Sequence, residues 1–166
     1  CMNNKEYRQI VKDTFSLSQK AVPATKSDIS IGLDLIDTLN ANRDRCVGMA
    51  ANMIGVNRAA IIVNMGFNNI VMFNPKLLSC SVEYETEEGC LSLSGVRKTK
   101  RYRDIEIEYI TECKEKTDFL NGSDEVTPNS DIEYIDMNWQ KKKIRLSGFY
   151  AQIAQHELDH LNGILI

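Results

Sequence analysis

The 166-residue chain has two histidines, and both fall in Gln155-His156-Glu157-Leu158-Asp159-His160, four positions apart around a glutamate. On an α-helix that spacing puts both imidazoles on one face, a turn apart, where they can chelate a metal ion. Glu157 lies about 100° around the helix from His156, so it misses the coordination shell yet can reach a water that such a metal activates. That is the position of a proton shuttle. A catalytic metal site takes three protein ligands and keeps one position open, so a third donor must come from elsewhere in the chain. Cys90 is the candidate: in Glu87-Glu88-Gly89-Cys90-Leu91-Ser92 it follows a strand-like acidic segment, and Gly89 lets the backbone come close to the metal. Cys46 and Cys80 have weaker settings and read as small buried hydrophobes. A thiolate with two imidazoles suits iron, zinc, nickel or cobalt, which leaves the metal open.

The elements that must hold these groups follow from periodicity. Tyr7, Ile10, Val11 and Phe15 have near-helical spacing, ended by Pro23. A second helix is expected from the cap Ser27, with Asp28 in its first turn, to about Asn40, burying Ile29, Leu33, Ile36 and Leu39. The run from Cys46 to Val56 is rich in small residues and glycine and allows close backbone approach. Strands are expected over Ala60 to Asn64, Ile70 to Phe73, Lys76 to Cys80 and Ile105 to Ile110, with a turn at Asn68-Asn69 and a break at Asn74-Pro75. Residues 112 to 131 have the composition of a loop or hairpin tip. Two more strands, Ile132 to Ile135 and Lys143 to Leu146, lead through Gly148 into the last helix, about Ala151 to Leu161. The acidic residues Glu83, Glu85 and Glu87 read mainly as a solvated strand edge, although any of them, or Glu88, could orient a ligand histidine.

Composition narrows the function classes. With 43% hydrophobic and 26% charged residues, the chain can bury one real core, so 1–166 is expected to form a single domain. A net charge of -3 with dispersed basic residues gives no electrostatic reason to bind nucleic acid. No apolar run is long enough to span a bilayer and the start Cys1-Met2-Asn3-Asn4-Lys5 is polar, so a cytoplasmic protein without membrane contact is expected. The five cysteines show no disulfide framework, and Cys1 before Met2 is set aside as foreign to a native start.

Glu88-Gly89-Cys90-Leu91-Ser92 together with His156-Glu157-x-Asp159-His160 resembles two of the three signature motifs of peptide deformylases. Proteases that share the His-Glu-x-x-His helix take their third ligand downstream, and no His or Glu follows His160 here. The resemblance runs from about Ser27 to Ile166 and implies an α+β fold, with antiparallel or mixed sheets packed around a central His-Glu-x-x-His helix and helices at the N-terminus. It implies Fe2+ as the metal, held by Cys90, His156 and His160, with Zn2+, Ni2+ or Co2+ as substitutes. It implies hydrolysis of the formyl group from N-formyl-methionyl peptides, with the ribosome as the place of action and a monomer as the working form. Glu157 would act as general base and then general acid, the Leu91 backbone N–H would face the developing oxyanion, and Val47, Gly48 and Ile153 would line the methionine pocket. Gly95 is a further candidate that a turn would explain equally.

The first motif departs from the family pattern Gly-x-Gly-x-Ala-Ala-x-Gln: here it reads Cys46-Val47-Gly48-Met49-Ala50-Ala51-Asn52-Met53. The resemblance assigns that glutamine an oxyanion-donating amide, which the Met53 thioether cannot supply. Asn52, one residue off, is the alternative donor. Losing one such donor costs about 10²–10³ in turnover, so three readings stay open: an active deformylase, a divergent amidohydrolase acting on another N-acyl or formamide substrate, and a metal-containing binding protein. Coordination of the metal by Cys46 as a fourth ligand would select the last.

Overall fold

The computed structural model describes residues 9–66, 68–112, 133–136 and 139–166, the segment 133–136 as backbone only. Its helices are α1 (Thr14–Leu17), α2 (Ser30–Ala41) and α3 (Gly148–Leu161). Its strands are β1 (Gly48–Ala50), β2 (Ala60–Asn64), β3 (Asn69–Cys90), β4 (Leu93–Glu112), β5 (Glu133–Asp136) and β6 (Trp139–Ser147). They form one six-stranded sheet in the order β1-β2-β3-β4-β6-β5, and every neighbouring pair is antiparallel. The α+β class expected from the motifs holds, with a single antiparallel sheet where several sheets were expected. α3 packs on β1, β2, β4 and β6, and it is enclosed: Ala151, Ile153, Ala154, His156, Glu157, His160 and Leu161 are all buried. No helix among the described residues is long and apolar enough to cross a membrane.

The sheet differs from expectation at Asn74-Pro75, where the strand continues. Asn74 takes a left-handed φ of 48° and the register to β4 shifts between Phe73 and Lys76, so the pair makes a bulge. The Asn74 side chain completes the ladder, accepting from Ala24 N–H at 2.7 Å and donating to Ala24 C=O at 2.9 Å. The predicted strands over 70–73 and 76–80 are thus one strand, which runs on to Cys90. β3 and β4 join through the two-residue loop Leu91-Ser92, since Cys90 pairs with Leu93. Gly95, at φ 81°, takes up the register shift next to that loop; it is a turn glycine, with nothing within 4 Å of a built Cβ.

The N-terminal expectations need correction. The helix expected across Tyr7 to Phe15 is a single turn, Thr14–Leu17, capped by Asp13; Tyr7 lies outside the described residues and Phe15 is exposed. Ile10 and Val11 do pack against the core, but outside any helix, with Val11 N–H donating to Met53 C=O at 2.7 Å. Ser27 is not a cap: it sits inside a short 3₁₀ turn, Lys26–Asp28, entered from Thr25, whose N–H donates to Asp28 Oδ2 at 2.8 Å. In α2 the buried face is Ile31, Leu35, Thr38 and Leu39, while Leu33 is 65% exposed. The loop-like stretch at 113–131 and the residue Ile132 lie outside the described residues, and the strand expected there is seen as Glu133–Asp136.

Candidate metal centre

Cys90 reaches the centre because it stands at the end of β3, where the β3–β4 hairpin folds back over α3. His156 and His160 come from successive turns of α3. One ligand atom from each of the three lies within 4.8 Å of the others. The Cys90 sulfur is 3.3 Å from His160 Nε2, which is 3.2 Å from His156 Nε2. Ser92 N–H donates to the Cys90 sulfur at 3.4 Å, the kind of contact that steadies a thiolate. Cys46 stays out of the cluster: its thiol donates to Gly48 C=O at 2.7 Å, and burial, with the Glu157 charge, pushes it up to about 12. Three donors, with no fourth among the described residues, leave room for a water or substrate oxygen.

The sequence leaves open which acid orients a candidate histidine, and the structure places Glu88 against His156. Its Oε1 lies 2.9 Å from His156 Nδ1, which turns Nε2 of that ring toward the cluster. Arg101, on β4, grips the same carboxylate through both oxygens at 2.9 and 2.7 Å and reaches Asp159 Oδ2 at 2.6 Å. Arg101 is 3% exposed and Glu88 7%. Burial alone would raise the Glu88 carboxyl, but the His156 and Arg101 hydrogen bonds outweigh it and hold Glu88 down at about 2. For His156, burial opposes the proton, while Cys90, Glu88 and Glu157 favour it and carry the ring up to about 10 in the absence of a cation. Burial and the neighbouring His156 charge push His160 down to about 4, so it offers a neutral ring nitrogen.

Arg101 and Gln155 were missed from the sequence. Gln155 accepts from Tyr102 N–H at 2.8 Å and donates to Tyr102 C=O at 2.7 Å, so α3 is fastened to β4 by a side chain acting as a strand backbone. An amide directly before the first histidine was the available signal.

Glu157 lies beside the donors, 4% exposed, and its Oε2 has no hydrogen-bond partner among the described residues. Burial pushes it up to about 7, against the His156 charge. Gly48 makes room for the neighbouring Ile153: a Cβ there would come within 2.6 Å of Ile153 Cγ2, while Glu157 Cγ would stay at an ordinary 3.4 Å. A cavity of about 270 Å³ opens from the cluster, with Val47, Gly48, Met53, Phe149 and Ile153 on its walls beside Cys90, His156 and Glu157. Leu91 is not among the residues lining it; it occupies the hairpin loop next to Cys90. Met53 does face the cavity, its sulfur accepting from Ala50 N–H at 3.5 Å. Asn52 does not: its amide donates to His160 C=O at 2.8 Å and ties the loop to α3.

The polypeptide deformylase family model matches residues 7–124 and 128–166. A peptide deformylase of Clostridium beijerinckii is 45% identical over 159 residues, covering 96% of this chain and 98% of the relative. One of Enterococcus faecalis is 30% identical, covering 87% and 76%. Among solved structures, the actinonin-bound class I type b peptide deformylase of Acinetobacter baumannii superposes with a TM-score of 0.71 at 26% identity, covering 96% of this chain and 94% of its own. The Thermotoga maritima enzyme gives 0.70 at 26% identity, with 98% and 95% covered. Identity at this level across nearly the full length of both chains, on a shared fold, shows that the chain belongs to the peptide deformylase family of metal-dependent hydrolases.

Proposed function

We propose that the chain removes the N-formyl group from formyl-methionyl nascent peptides by hydrolysis, with Cys90, His156 and His160 as the holders of one divalent cation and Glu157 as the group that moves the proton. The observation that carries this reading is the convergence of the three donors within 4.8 Å of one another beside a buried carboxylate with an unpartnered oxygen. The donors fit a cation: a thiolate and two imidazoles complete three positions of a tetrahedral set, and Glu88 fixes the tautomer of His156. Fe2+ is the native metal in this reading, with Zn2+, Ni2+ or Co2+ able to replace it. When bound, the cation supplies Lewis acidity to the formyl oxygen and to the attacking water.

The chain's own groups do the rest. Glu157 Oε2 takes the proton of the attacking water and returns it to the peptide nitrogen as the C–N bond breaks, giving formate and a free amino terminus. The Leu91 backbone N–H stabilises the oxyanion. Val47, Gly48 and Ile153 hold the methionine side chain in the cavity they line. Asn52 is committed to His160 C=O and does not replace the absent glutamine amide, so Met53 leaves the oxyanion one donor short. The basic run of β4 is matched by the acidic β3, with Lys100 3.6 Å from Glu83 and Arg101 buried, which supports the absence of direct nucleic-acid contact in this reading, and the nascent peptide is met at the ribosome. A cytoplasmic monomer completes the reading.

The test is the deformylation rate of formyl-Met-Ala-Ser by anaerobically iron-loaded protein. Glu157→Gln should lower kcat by at least about 10²-fold, the scale of a lost general base. Met53→Gln should raise it by up to about 10²-fold. A base with Glu157's pKa must be deprotonated to work, so kcat/KM should fall as pH drops below about 7. Turnover undiminished in Glu157→Gln would refute the assignment.

A further inference from the structure

The cavity wall carries an uncharged amide side chain that neither the donor cluster nor Glu157 explains. Gln152 lies one turn before His156 on α3 and lines the cavity with Val47, Phe149 and Ile153. Its Oε1 accepts from the Tyr84 hydroxyl, on β3, at 3.3 Å. With the oxygen engaged, the free polar end of the carboxamide is Nε2, which has no partner among the described residues. The Cys46 thiol is already donating to Gly48 C=O, so Gln152 is the one uncharged side-chain donor available on these walls. An amide pinned at one end directs the other, and a wall built to donate penalises a ligand that cannot accept.

We propose that Gln152 is a specificity-determining residue for the substrate side chain, donating through Nε2 to an acceptor at its sulfur position, and that Tyr84 is its positioning residue. The proposal rests on the deformylase reading. Acceptor strength then ranks substrates: a norleucine side chain offers none, a methionine thioether a weak one, and a methionine sulfoxide oxygen a strong one. The pocket therefore admits oxidised formyl-methionine, which a wholly apolar wall would exclude. This contact is distant from the breaking bond and equal in ground and transition states, so its effect falls on KM and not on kcat.

The experiment measures kcat and KM for formyl-norleucine-, formyl-methionine- and formyl-methionine-sulfoxide-Ala-Ser with metal-loaded wild type, Gln152→Leu and Tyr84→Phe. Calorimetric affinities of the three deformylated tripeptides accompany it. Wild type should show KM falling from norleucine to methionine by about threefold and should accept the sulfoxide as well as methionine. Gln152→Leu should reverse the order, with the sulfoxide KM raised at least about tenfold relative to that of norleucine. Tyr84→Phe should fall between. The same order in wild type and Gln152→Leu, or an equal loss of kcat for all three, would overturn the proposal. If no formylated peptide turns over, the deformylase reading fails, and the tripeptide affinities still decide whether Gln152 selects the acceptor.

Discussion

Past residue 80 the β3–β4 hairpin leaves the sheet as a two-stranded ribbon, and its two faces put the same kinds of charged residue to opposite uses. On the outward face Glu85 pairs across the strands with Lys100 and Glu87 with Lys98, all exposed, with Lys100 Nζ 3.6 Å from Glu83. On the inward face Glu88 and Arg101 are buried against α3 and tied to His156 and Asp159 through hydrogen bonds of 2.6 to 2.9 Å. The residue types barely differ; the surroundings do. Charges in water gain little from pairing, whereas buried ones must be fully satisfied and so fix geometry. A ribbon that is merely soluble on one side is thereby a brace for His156 on the other.

The comparison breaks if the inward pair proves dispensable. Arg101→Met leaves the Glu88 and Asp159 carboxylates facing each other without their cation, and the expected cost is about 3–5 kcal/mol of unfolding free energy, read from urea denaturation. A loss below about 1 kcal/mol would mean that water reaches the pair and the two faces are alike.

Glu88→Gln is the sharper probe, since it keeps the shape and removes the charge. Metal affinity should weaken by about 10–100-fold, measured by competition with a chelator. The pH dependence of the metal-free protein gives a second readout. Glu88 titrates lower in the folded chain, about 2 against an ordinary 4.5, so its contribution is fully present above 4.5 and is lost as pH falls toward 2. The displacement corresponds to about 3 kcal/mol. Wild type should therefore lose up to about that much more stability than Glu88→Gln across this window. Parallel pH curves for the two proteins would remove Glu88 from the network.

The clustering of the three donors was legible in the sequence because its chemistry is local and rare: two histidines at helical spacing around one glutamate, and a cysteine after glycine. The brace was not, because it depends on strand pairing over long range. Four glutamates within six residues are equivalent by composition, and the alternation of a strand does not say which face meets a helix. The pleat turns Glu88 in and Glu87 out once β3 runs unbroken from residue 69 to 90, and Asn74-Pro75 hid that continuity. Arg101 was hidden among Arg97, Lys98, Lys100 and Arg103. The helix at the N-terminus was over-read for the complementary reason: Ile10 and Val11 do meet the core, but from chain outside any helix, since spacing reports which residues are covered and not the backbone that presents them.

The smallest effect tests the outward face. Lys100→Ala removes a side chain that is 69% exposed and its contact with a half-exposed Glu83. In high dielectric the pair gains little over its hydration and also spends side-chain entropy, so the expected loss is below about 1 kcal/mol and should vanish in about 1 M salt. Metal affinity should not change, because neither residue touches Glu88 or the ligands. A change in metal affinity in Lys100→Ala would show that the ladder sets the twist of the ribbon, and through it the position of Cys90 at its tip. The two faces would then be one device, with the exposed charges acting on the centre through the backbone they hold.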